Sequence, residues 1–134
     1  YWLFVTHSRP VQQKAILISG MAFLVLTGVT GVLYLVEYLV PALEAYHDYV
    51  LNWHATVALY GWNLSGLFII VRWRDFPIAK RAVLIVSLHW LTVLVLAPLG
   101  KYSGAAALVA LPVYVGLVAY VFLARSKGSA GEAA

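Results

Sequence analysis

Four long runs of apolar residues, separated by short polar breaks, organise this chain. The first runs from about Ala15 to Val40 and the second from about Tyr49 to Val71. The third runs from about Ala82 to Leu96, where Pro98 and Gly100 close it, and the fourth from about Ala105 to Ala124. A bilayer core needs roughly 20 apolar residues per helix. The third run reaches that length if it extends back through Ile78 and forward to Leu99. The two-residue alternation of a barrel strand is missing, and the runs are too long for one. The pattern predicts an all-α membrane protein of four transmembrane helices. The breaks Pro41–Asp48 and Pro98–Gly104 are short, which predicts antiparallel neighbours in an up-down-up-down bundle. Neither a soluble domain nor an internal repeat is visible.

Charge placement orients the four spans. Arg9 and Lys14 precede the first, Arg72, Arg74, Lys80 and Arg81 fill the break after the second, and Arg125 and Lys127 follow the fourth. Eight of the nine Lys and Arg therefore fall on one side. Opposite them stand Glu37, Glu44 and Asp48, with Lys101 the single base. Cytoplasmic loops carry such an excess of Lys and Arg, so both termini are expected in the cytoplasm. Tyr38, Tyr46, Tyr49, Trp53 and Tyr102 would anchor the outer interface, and Trp2 and Trp73 the inner one. The expected organisation is a cytoplasmic N-terminal segment over residues 1–14, a four-helix transmembrane domain over 15–124 and a disordered cytoplasmic tail over 125–134.

Composition agrees and narrows the chemistry. The chain is 63% hydrophobic and 10% charged, where a soluble domain is about half apolar and a quarter charged. Lipid is the solvent this composition suits, and a prokaryotic cytoplasmic membrane is the expected location. With no cysteine, disulfides, thiolate metal sites and a cysteine nucleophile are excluded. The net charge of +4 comes without a Gly-rich phosphate loop or a basic groove, so nucleic acid is not an expected partner. The chain opens on Tyr1 rather than Met, a start expected to be processed or missing. Its first apolar run, about 25 residues long, exceeds the core of a signal peptide.

Polar residues at membrane depth carry a functional hypothesis, because an unsatisfied one costs a few kcal/mol. Counted from Arg72, His54 lies 18 residues up, roughly 27 Å at helical rise. His89 lies eight residues from Arg81, roughly 12 Å up. Asn63 shares that depth, and Tyr114 is within a turn of it. Two polar layers result: an outer one of His54, Thr30, Tyr34 and Asn52, and a middle one of His89, Asn63, Ser65 and Tyr114. On the second span His54, Ala58, Gly61 and Ser65 follow spacings of 4, 3 and 4, which sets them on one face. Small residues below a histidine suit a flat ring lying on the helix, or equally a neighbouring helix at close range.

Haem b is the first candidate cofactor, because neutral imidazole is a common axial ligand of haem iron. His54 and His89 are the candidate iron ligands, with Gly61 beneath. The inner anchors place the two histidines roughly 15 Å apart in depth, whereas counting from the outer ends makes them nearly level. A quinone is the second candidate. His89 with Trp90, Asn63 and Tyr114 has the residue types to hold a carbonyl and exchange a proton. Against both stands plain packing, in which each histidine bonds a neighbouring helix. His7 and His47 are expected to be solvated.

The stretch Trp53-His54-Ala55-Thr56-Val57-Ala58-Leu59-Tyr60-Gly61-Trp62, followed by Gly66-Leu67-Phe68, resembles the second helix of haem-copper oxidase catalytic subunits. The resemblance implies that His54 ligates a haem. It covers residues 53–68 only, and the chain lacks the dozen or so spans and the copper-binding histidine pair of that family. The four-helix outline also resembles the cytochrome b-type membrane anchor subunits of respiratory enzymes. The expected function is a small membrane subunit of an electron-transfer complex that carries or borders a b-type haem or a quinone. Its expected partners are other membrane subunits and lipid, with no enzyme activity of its own. A cofactor-free accessory subunit and a small membrane carrier are the alternatives.

Overall fold

The structure, a computed structural model, describes residues 10–74, 76, 78 and 82–124. The segments at 1–9 and 125–134, and with them Trp2, His7, Arg9, Lys80, Arg81, Arg125 and Lys127, lie outside the described residues. Helix α1 spans Val11–Leu39, α2 Pro41–Val71, α3 Ala82–Gly100 and α4 Gly104–Leu123. All four are long and apolar enough to cross a membrane, and no strand occurs among the described residues.

Helix α1 packs along α2 and touches α3, while α4 packs along α3 and the Leu64–Val71 end of α2. The interior divides into two layers. One gathers Ile16, Leu64, Phe68, Ile85, Leu117 and Val121 from all four helices. The other is built on Phe23, Val57 and Val93, with Trp62 and Trp90 against them. Aliphatic side chains such as Val25, Val83 and Leu108 face outward. Water would reject such a surface and hydrocarbon tolerates it.

Polar side chains tie the helix ends. The Gln12 carboxamide oxygen accepts from the Ile78 amide at 2.9 Å, and Gln13 donates to the Trp73 carbonyl at 3.3 Å. The Arg72 guanidinium donates to the carbonyls of Ala124 and Phe122. At the other end Lys101 and Tyr102 donate to the Asp48 carbonyl at 3.5 and 3.4 Å.

Helix bounds differ from the apolar runs in three places. Helix α1 begins at Val11, because Gln12 and Gln13 are buried against the segment after α2 and need no apolar side chain to be helical. The break Pro41–Asp48 is itself helical: a 3-10 turn Pro41–Tyr46 forms the start of α2 and continues without interruption at His47. Proline fits a first helical position, and only Val40, in extended conformation, separates α1 from α2. The break after α3 shrinks to Lys101–Ser103, where the Ser103 hydroxyl caps α4 by accepting from the Ala106 amide.

Two helices widen locally to the π form: α2 over Val57–Asn63 and α3 over Thr92–Leu96. The second has a visible cause. Pro98 has no amide hydrogen, and its ring collides with an α-helical carbonyl one turn back. The Ala97 amide accordingly reaches back to Thr92, one residue further than in an α-helix. The Pro98 carbonyl is also left without an i+4 donor, because the Tyr102 amide bonds Leu99. Asn52 of α2 supplies the missing donor at 3.1 Å.

Candidate functional site

Each histidine at membrane depth is held by another helix, and the two are held differently. His54 Nδ1 lies 3.2 Å from the Thr27 carbonyl and 3.2 Å from the Thr30 hydroxyl, both on α1. A carbonyl only accepts, so Nδ1 carries the proton. The Thr30 hydroxyl already donates to Leu26 at 2.8 Å, which leaves its oxygen to accept as well. The ring lies against Gly31, where an added Cβ would meet His54 Cε1 at 3.3 Å. His54 Nε2 therefore carries the lone pair. It has no hydrogen-bond partner among the described residues, and it is not sealed inside the protein.

His89 is enclosed. It is 2% exposed, and its Nε2 shares a hydrogen bond with the Ser65 hydroxyl at 2.9 Å. The rings of Phe23 and Phe68 pack against it at centroid distances of 5.3 and 5.7 Å. Its Nδ1 is buried without a hydrogen bond, and the Gly61 carbonyl stands beside the ring outside hydrogen-bond geometry. The adjacent Trp90 donates to Ser19 of α1 at 2.8 Å and stacks on Phe23 at 4.5 Å.

The small-residue face of α2 receives α1. A Cβ on Gly61 would stand 2.6 Å from Phe23 Cγ, and one on Gly20 would stand 2.9 Å from Ser65 Cβ. Of the two occupants that face suits, a neighbouring helix is the one present. A haem shared by the two histidines does not fit this arrangement. Phe23 fills the space at Gly61, and Ser65 occupies the His89 nitrogen that a metal would need. The depths also differ. On α1 His54 meets Thr27 to Gly31, whereas His89 meets Phe23. On α2 Ser65 lies eleven residues from His54, roughly 16 Å of helical rise. The depth count from the inner anchors thus agrees with the packing.

The remaining members of the two layers disperse. Tyr34 shares a hydrogen bond with Tyr38 at 3.1 Å and packs at a tilt against His47 rather than His54. His47 Nδ1 lies 3.3 Å from the buried carboxylate of Glu37, a contact the sequence did not suggest and one that is an ion pair when His47 is protonated. Asn63 is exposed, away from His89. Tyr114 packs edge-on against Tyr60 at 5.0 Å, beside a cleft of about 420 Å³ between α2, α3 and α4 whose floor includes Ala97, Gly100 and Ala107. No group of three or more His, Cys, Asp and Glu that could hold a metal occurs among the described residues.

Sequence reasoning missed Phe23 and the Ser19–Trp90 bond. Phe23 carried no signal beyond being apolar. Ser19 and Trp90 are 71 positions apart, and only a tertiary arrangement joins them. Compared with protein-family models, with curated proteins and with solved structures, the chain matches none.

Proposed function

We propose that this protein is a small integral membrane subunit of an electron-transfer complex and borders a b-type haem or quinone through His54. One observation carries the proposal: the Thr27 carbonyl fixes the proton on Nδ1 and leaves the Nε2 lone pair without a partner. A ligating histidine is ordinarily oriented in this way, by a carbonyl on its second nitrogen. Bound there, a haem would supply one-electron chemistry. The chain itself orients the imidazole, holds its tautomer through Thr27 and Thr30, and keeps bulk away at Gly31. The cytochrome b-type anchors and the haem-copper oxidase helix, which the sequence resembles in outline and over residues 53–68, point the same way. His89 takes a packing role here.

The orientation belongs to the same proposal: an up-down-up-down bundle in a prokaryotic cytoplasmic membrane, with both termini cytoplasmic. Lys14, Arg72 and Arg74 collect at one end, where Arg72 bonds the end of α4 and Gln12 and Gln13 at the start of α1 bond the segment after α2. Glu37, Glu44 and Asp48 mark the other end, around a cavity of about 530 Å³.

The visible spectrum of the protein, purified with the subunits that accompany it, tests the proposal. A Soret band that His54→Ala removes and His89→Ala retains supports it. The second reading, a cofactor-free accessory subunit, rests on the helix-to-helix bonds Ser65–His89, Ser19–Trp90 and Asn52–Pro98. A colourless preparation that also fails to bind quinone would establish that reading instead.

A further inference from the structure

Asn63 lies eight residues before Val71, the inner end of α2, roughly 12 Å of helical rise. In the orientation proposed above, that depth is hydrocarbon. Its side chain is exposed, and no group among the described residues forms a hydrogen bond with it. It does not line the Tyr60–Tyr114 cleft. A carboxamide left bare in lipid costs several kcal/mol, so such groups are normally satisfied by another helix.

The surface around Asn63 admits one. Leu59, Asn63, Gly66 and Ile70 follow spacings of 4, 3 and 4 along α2 and form one outward face. Leu59 and Ile70 are 56% and 75% exposed. Beyond Gly66, nothing lies within 4 Å of where a Cβ would stand. Small residues beside a polar one are what close helix pairs in membranes use.

We propose that this face pairs with the same face of a second copy of the chain, about a twofold axis normal to the membrane, with Asn63 bonded to Asn63. The occupant follows from donor and acceptor complementarity. A carboxamide has both donor hydrogens and an acceptor oxygen. A twofold axis sets each residue opposite itself, so each Asn63 donates to the other's oxygen and neither needs a third group. The rest of the face is aliphatic and carries no charge that a second copy would repel. The pairing rests on the membrane orientation and is independent of any group at His54.

The natural chain contains no cysteine, so single cysteines report cleanly. Ile70→Cys stands two turns from Asn63 on the proposed face, and Leu108→Cys stands exposed on α4 as a control. In native membranes treated with an oxidant, Ile70→Cys is expected to form a disulfide-linked dimer, while Leu108→Cys stays monomeric. Adding Asn63→Leu to Ile70→Cys should lower the dimer yield about tenfold, the equivalent of a 1–2 kcal/mol interhelical bond, and Asn63→Gln should restore most of it. Asn63 forms no hydrogen bond with the described residues, so thermal unfolding of monomeric Asn63→Leu in detergent should match that of the monomeric parent. Equal cross-linking at both cysteines, a yield indifferent to Asn63→Leu, or cross-linking only to a different polypeptide would each overturn the pairing.

Discussion

His54 and His89 differ in what each ring nitrogen meets, and that difference governs what substitution should do. Replacing His89 removes a buried ring from between Phe23 and Phe68 and strands Ser65. His89→Ala should destabilise the bundle by about 2–4 kcal/mol, and Ser65→Ala by about 1 kcal/mol, measured as unfolding in detergent. His54→Ala loses only the contact to α1 and should cost less than about 1.5 kcal/mol. Gly61 gives a sharper test, because no L side chain fits against Phe23. Gly61→Ala should cost about 1–3 kcal/mol of overpacking, and the added change Phe23→Leu should recover much of it. Full cost in the double variant would show that Phe23 is not what fills that face. The sequence offered Gly61 and Ser65 as a smooth face and left its occupant open. The occupant, Phe23, is one of many apolar residues on α1 and carries no mark of its role.

At the scale of elements, the helices were legible because a segment that crosses hydrocarbon must bond its backbone internally, as a helix, and surround it with a long run of apolar side chains. Their ends were less so. Pro41 reads as a break, yet it starts a helical turn. Gln12 and Gln13 fall in the expected cytoplasmic segment over residues 1–14, yet they are buried in contacts with a segment sixty or more positions away. Pro98 reads as a stop for α3, but it lies within the helix and expresses itself as the π turn before it. Replacing Pro98 with alanine should let Thr92–Leu96 return to α-helical bonding and slow amide hydrogen exchange there. An unchanged exchange pattern would mean that the widened turn has another cause. The π turn over Val57–Asn63 has no proline to explain it, and it sits between His54 and Ser65, where such turns often mark functional positions.

For the whole molecule, charge placement predicts an orientation that no single helix encodes. Cysteine scanning can check it in this cysteine-free chain. In intact cells, an impermeant thiol reagent should label Glu44→Cys and Lys101→Cys but not Arg74→Cys, and opened membranes should expose all three. Labelling of Arg74→Cys in intact cells would invert the bundle. The candidate site, by contrast, was only partly legible. Depth and residue type singled out two histidines, but the partners that distinguish them, Thr27 and Thr30 for one and Phe23, Ser65 and Phe68 for the other, come from other helices. The central claim is that His54 presents a free, correctly protonated imidazole to a redox group. Difference spectroscopy of the purified assembly, reduced minus oxidised, tests it most directly. The account predicts a b-type signal that His54→Ala abolishes and His89→Ala leaves in place; a signal that survives His54→Ala, or none in an assembly that also binds no quinone, would contradict it.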